Sequence, residues 1–154
     1  MLEPKQALPL LILFLLYPAG QVVAEDPAPT LEFRIADDTE AFDWQKMELR
    51  GSDQPIFVSS EATLNGGHIE KVSFYKGPNG NPSIGFTLTD DGAKAMEATT
   101  SQNINKRLAI VLNGKVVSAP IIRSTIIKEG QITGSFDEDD LLAFFRAIVL
   151  RELP

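Results

Sequence analysis

The sequence predicts an α+β fold, an antiparallel sheet with two helices packed on one face, and three observations predict it. Leu31, Phe33 and Ile35 alternate with Glu32 and Arg34, and further runs do the same, which is the period of two of a half-buried strand. Two segments, after Thr89 and after Asp137, carry helix start signals. The order of strands with two interposed helices then points to a helical layer on an antiparallel sheet, with no internal repeat to indicate a solenoid.

Residues 1–24 read as an export signal. Lys5 and the amino terminus precede the apolar run Ala7 to Tyr17, Pro18 and Gly20 break it, and Val22-Val23-Ala24 places small residues at a cleavage site after Ala24. The run is shorter than the roughly 20 residues that span a bilayer, so no stable membrane insertion is expected after cleavage. Residues 25–30, EDPAPT, form a mobile polar lead. Residues 31–59 are β-rich, with the strand around Phe33 followed by Gln45 to Leu49 and Pro55 to Val58 on either side of a turn at Gly51-Ser52-Asp53.

A second antiparallel pair follows. Val72 and Phe74 alternate with Lys71, Ser73 and Tyr75, and Ile84, Phe86 and Leu88 alternate with Gly85 and Thr87, across the turn cluster from Gly77 to Pro82. Thr89 caps a helix that runs to about Asn103, with Asp90 and Asp91 at the positive end of its dipole. Leu108 to Leu112 is an unbroken apolar run of strand length, and Asn113-Gly114 tolerates the positive φ angles of a two-residue hairpin turn. Asp137 and Asp140 make a capping arrangement before Leu141, Leu142, Phe144, Phe145, Ile148 and Val149, which are expected to form one wide apolar stripe. The predicted core is Phe86, Leu88, Leu108, Ile110, Leu112, Phe144, Phe145 and Ile148.

Composition narrows the function classes. About 130 residues remain after the signal, enough for one domain with its own core. The chain has no Cys, so neither a lipid attachment thiol nor a disulfide contributes. Its formal charge of −7 argues against a nucleic-acid surface or anionic lipid. His68 is the single histidine. A metal site would have to combine it with carboxylates alone, and no Gly-x-Ser-x-Gly turn supplies a nucleophile for it, so a structural role is expected.

The other polar clusters read as local structure. Asp137-Glu138-Asp139-Asp140 lacks the ligand spacing of a calcium loop and suits a helix start. Asp37, Asp38, Glu40 and Asp43 read as a loop and helix entry, and the glycines of Asn65-Gly66-Gly67 and Gly77-Pro78-Asn79-Gly80 lack the Lys and Ser/Thr of a phosphate cradle. Lys106, Arg107 and Arg123 read as solvated charges at strand ends. No cofactor and no catalytic group is expected. Ser118, Ala119, Pro120, Ile121, Ile122 and Arg123 stand apart, because Pro ends ladder pairing and small residues permit close approach of another backbone. This segment is the candidate edge for binding an extended polypeptide by strand addition.

The order of residues from Lys106 to Phe136, with the Asn113-Gly114 turn, Ser118-Ala119-Pro120 and Gly130-Gln131-Ile132-Thr133-Gly134, resembles the head subdomain of the first periplasmic domain of SecD and SecDF, membrane components of bacterial protein export. The likeness extends through Gly85 to Thr89, Gly92-Ala93-Lys94, Thr100, Asn103, Phe136, Leu141 and Arg146-Ala147, and covers residues 60–154 as a SecD-type periplasmic head domain. The family usually has Gly in place of Asn105 and often Asp in place of Asn113, and its closing segment is stretched here between Arg146 and Pro154. The family's transmembrane bundle would begin where this chain stops, so the expectation is a free-standing module and not a proton-driven motor. The resemblance implies a non-enzymatic protein, periplasmic or secreted, that handles unfolded polypeptide. The alternative is a structural or regulatory subunit docking on Sec translocase components or another envelope protein.

Overall fold

The computed structural model describes residues 29–77 and 80–149. The expected signal, most of the polar lead, Pro78-Asn79 and the closing Leu153-Pro154 lie outside the described residues. Nine strands, two helices and one 3-10 turn follow in the order β1 (Leu31–Asp37), β2 (Trp44–Glu48), β3 (Pro55–Ser59), β4 (Leu64–Asn65), the turn Gly66–His68, β5 (Ile69–Lys76), β6 (Pro82–Leu88), α1 (Asp90–Gln102), β7 (Arg107–Leu112), β8 (Lys115–Ser118), β9 (Glu129–Thr133) and α2 (Glu138–Val149). The α+β class is as predicted, with one addition. The strands divide into a six-stranded sheet, ordered β2-β3-β1-β7-β8 with β4 also on β1, and a three-stranded sheet ordered β5-β6-β9.

The large sheet has an apolar layer on each face. Leu108, Ile110 and Leu112 of β7 join Phe33, Phe86, Leu88, Met96, Phe144 and Ile148 in the main core, which both helices and the small sheet cover. Ala109 and Val111 point the other way, into a second core with Ala36, Ile56, Val58, Val116 and Ala119, to which neither helix contributes. That is why β7 reads as an unbroken apolar run: it is buried on both faces. The large sheet curls round the second core until its outer strands meet. Leu49, just beyond β2, bridges Val116 of β8, and the Arg50 amide donates to the Val116 carbonyl at 3.1 Å.

The two sheets meet through Phe33 and Phe86, whose rings are 5.5 Å apart at 58°. Gly130, paired with Phe86 across β6 and β9, leaves space for that ring, since a Cβ there would stand 2.4 Å from Phe86 Cζ. α1 begins as expected, with Thr89 Oγ1 accepting from the Gly92 amide. Gly92 is needed for close approach, because a Cβ would meet the His68 carbonyl oxygen at 2.7 Å.

Two expectations about the core need correction. The apolar residues of α2 form two stripes instead of one: Phe144, Ala147 and Ile148 are buried, whereas Leu142, Phe145 and Val149 are exposed. Phe145 is therefore not a core residue; the position that faces the core is its neighbour Phe144, which has no exposed surface. Along β5 the expected half-burial of Phe74 also fails. β5 lies at the rim of the small sheet, with Phe74 and Tyr75 both exposed.

Candidate polypeptide-binding edge

The candidate segment follows the β7–β8 hairpin. Asn113 and Gly114 have φ of 50° and 75°, so the turn takes the left-handed conformation its residues were expected to allow, and Leu112 pairs with Lys115 across it. The turn is also tied to the chain before β1: the Asn113 amide donates to the Thr30 carbonyl at 2.9 Å, and the Thr30 amide to Asn113 Oδ1 at 3.0 Å. A bulge between Ile110 and Val111 then shifts the register before Ser118.

The structure ties one side of this segment to neighbouring strands. Ser118 is buried and its hydroxyl donates to the Thr133 carbonyl at 2.9 Å, joining the large sheet to β9. The Ala119 carbonyl accepts from Arg107 Nη1 at 3.0 Å. The Pro120 carbonyl accepts from the Leu108 amide at 2.9 Å, and the buried Ile122 exchanges bonds with the Lys106 carbonyl at 2.8 Å and the Asn105 amide at 2.9 Å. Proline lacks only a donor, so its carbonyl continues the ladder that Pro120 was expected to end. Pro120, Ile121 and Arg123 remain exposed, while Ser118, Ala119 and Ile122 are buried. These main-chain bonds hold the segment along the side that faces the start of β7, in the antiparallel bridge between Arg107 and Ile121.

The other polar candidates resolve into local structure. His68 Nδ1 accepts from the Asn65 amide at 3.2 Å, while Asn65 Oδ1 accepts from the Gly67 amide at 2.8 Å, so the single histidine helps close the 3-10 turn. Asp137 and Asp140 cap α2 reciprocally, the Asp140 amide donating to Asp137 Oδ1 at 2.8 Å and the Asp137 amide to Asp140 Oδ2 at 3.0 Å. Arg50 also pairs with Asp140, and with Asp137 at 3.6 Å. The hydrogen bond from the Asp140 amide, with help from Arg50, holds the Asp137 carboxyl below its ordinary value. Arg107 is not simply solvated: its guanidinium makes two bonds to Asp38, at 2.8 and 3.1 Å. Lys106 Nζ lies over the Trp44 ring, 5.4 Å from its centre.

Sequence reasoning missed two surfaces. Among the described residues β5 pairs only with β6, which leaves one side of an eight-residue strand unpaired next to Phe74 and Tyr75. The alternation of Val72 and Phe74 showed a strand, but position in a sheet is set by distant partners and left no local signal. An open groove of about 1150 Å³ also lies between the β2–β3 turn and the hairpin tip, lined by Lys46, Arg50, Asp53 and Lys115 among others. It sits at the end of the large sheet where β2 and β8 come together. Among the described residues no helix is long and apolar enough to cross a membrane.

Two antiparallel sheets packed with two helices on a shared core, and carrying an open strand at their rim, define an α+β module whose accessible features are main-chain edges and apolar side chains. The family model for the SecDF P1 head subdomain matches residues 42–151, taking in β2 and β3 as well as the segment from residue 60 onward. The chain belongs to that family. It is 43% identical over 96 residues to protein translocase subunit SecD of Aquifex aeolicus, covering 62% of this chain and 19% of that protein. It is 55% identical over 47 residues to protein translocase subunit SecDF of Thermus thermophilus, 30% of this chain and 6% of that one. A solved structure of a membrane component SecDF that enhances protein export aligns with a TM-score of 0.58 at 27% identity, over 80% of this chain and 62% of the other. Another, SecDF in a super-membrane-facing form, aligns with a TM-score of 0.61 at 28% identity over 80% of this chain and 19% of the other. The chain thus spans a small part, 19%, of the SecD relative from Aquifex aeolicus.

Proposed function

We propose that this protein serves protein export outside the cytoplasm, as a non-enzymatic head module that pairs with extended segments of exported polypeptide. The observation that carries the reading is the unpaired side of β5 in a chain that belongs to the SecDF P1 head family. An edge strand offers a row of amides and carbonyls to any extended chain, which gives affinity without a demanding side-chain code. Phe74 and Tyr75 beside it supply apolar contact for whatever residues the ligand brings. The segment from Ser118 to Arg123, held to β7 along one side, contributes the exposed Pro120, Ile121 and Arg123 side chains. The export signal read in residues 1–24 supports placement in the periplasm or beyond it.

Photocrosslinking side chains placed at Phe74 and at Ile121 in exporting cells test this reading. Many different exported chains captured from position 74 are expected, with fewer from position 121. A single stoichiometric envelope protein captured from both would replace polypeptide handling by the docking-subunit reading. With purified protein, an unfolded export substrate should bind in a manner little affected by salt, because main-chain pairing carries the affinity. Phe74→Asp with Tyr75→Asp should weaken that binding, and His68→Ala should leave it unchanged.

A further inference from the structure

The second apolar stripe of α2 has no cover within the described chain. Leu142 is 54%, Phe145 44% and Val149 38% exposed. At the α-helical pitch these three lie within about 60° of one another around the axis, turned away from the buried Phe144, Ala147 and Ile148. A helix that is apolar on both its inner and outer sides normally has a packing partner on each. The stripe is framed by charge of opposite sign at its two ends. Glu138 and Asp139 are exposed in the first turn, and Arg146 is exposed beside Phe145 and Val149.

We propose that this face pairs with the same face of a second copy of the chain, the two α2 helices running antiparallel about a twofold axis near Leu142. Such a face is self-complementary, as an isologous contact requires. Antiparallel pairing sets Glu138 of each copy against Arg146 of the other, places the two Leu142 side chains together at the axis and brings a Phe145 to either side of them. The helix dipoles also oppose one another favourably in that arrangement. Parallel pairing would instead set Glu138 against Glu138 and Arg146 against Arg146. The acidic first turn of α2, in a chain of net charge −7, favours this occupant over an anionic membrane surface. Three apolar side chains from each copy make a small interface, so the dimer is a weak one that forms with rising concentration, with a dissociation constant on the order of micromolar or higher.

Sedimentation of the purified chain over a wide concentration range, combined with cysteine crosslinking, tests the pairing. The natural sequence has no Cys, so each introduced thiol reports on one position. Leu142→Cys is expected to form a disulfide-linked dimer on mild oxidation. Val149→Cys is expected to stay monomeric, because antiparallel helices crossing at Leu142 hold the two positions about 21 Å apart at 1.5 Å per residue. Phe145→Asp should weaken dimerisation at least tenfold while leaving the circular dichroism unchanged, since this ring lies outside the core. Arg146→Glu alone and Glu138→Arg alone should each lose the dimer, and mixing the two variants should restore it as a heterodimer. A chain that remains monomeric at every concentration overturns the proposal. So does a dimer that is indifferent to Phe145→Asp, or one that crosslinks through position 149 and not through position 142.

Discussion

Gly130, Asn105 and Asn113 show how single residues constrain this fold. The Phe86 ring occupies the space that a side chain at Gly130 would need, and a ring held between two sheets has little room to move aside. Gly130→Ala should therefore destabilise the protein by roughly 1–3 kcal/mol, an overpacking cost readable from a denaturant midpoint. Asn105 has a φ of 71°, which explains why it stands where the resemblance leads one to expect Gly: both residues tolerate the left-handed region, and a β-branched residue does not. Gly114, with a φ of 75° and open space around it, isolates the backbone effect, so Gly114→Val should cost on the order of 1 kcal/mol or more without any clash. Phe144→Ala should cost about 3–5 kcal/mol, as a large cavity in the main core does. Phe145→Ala should cost far less, because its ring is partly in water. Helical spacing alone could not separate these neighbours, since both belong to apolar stripes and only the direction of the core distinguishes them.

At the scale of elements, α2 depends on its first turn. Asp140 closes the capping box and accepts from Arg50, so it links the helix to the end of β2 while satisfying the Asp137 amide. Asp140→Ala should lower stability by about 2 kcal/mol, the upper range for loss of a helix cap. Increased hydrogen exchange confined to the first turns of α2 would locate the effect. The lowered pKa of Asp137 fixes the direction of the acid response. Because the folded state holds this carboxylate below the ordinary value of 3.8, its contribution is fully present above that pH and is lost as pH falls below it. An acid titration should thus loosen α2 below about pH 4, and Asp137→Asn should remove that part of the response. Both helix starts and the Asn113-Gly114 turn were legible because capping and turn chemistry are local. The tethering of Ser118 to Ile122 was not, because its partners Lys106, Arg107 and Thr133 are brought there by tertiary pairing.

In the molecule as a whole, β7 belongs to two cores at once, and this makes cooperative unfolding the expected behaviour. Its even-numbered residues pack with both helices and the small sheet, and its odd-numbered residues pack inside the curl of the large sheet. The split into two sheets left no trace in the alternation of β1, β5 and β6, which reads alike in both sheets; the apolar continuity of Leu108 to Leu112 was the visible sign that two layers meet there. The Ser118 bond to Thr133 adds a polar link between the sheets on the same side of the fold. Removing β7 from either layer removes it from the other, so neither core has a route to open alone. Fluorescence of Trp44, the only tryptophan, reports on a side chain in β2 that packs against the main core, whereas far-ultraviolet circular dichroism reports on all the secondary structure. The two signals should give the same denaturant midpoint. Val111→Ala in the second core and Phe144→Ala in the first should each shift both signals together. If Phe144→Ala lowered both midpoints while Val111→Ala left the Trp44 and helical transitions in place, the cores would be separate cooperative units and β7 would not couple them.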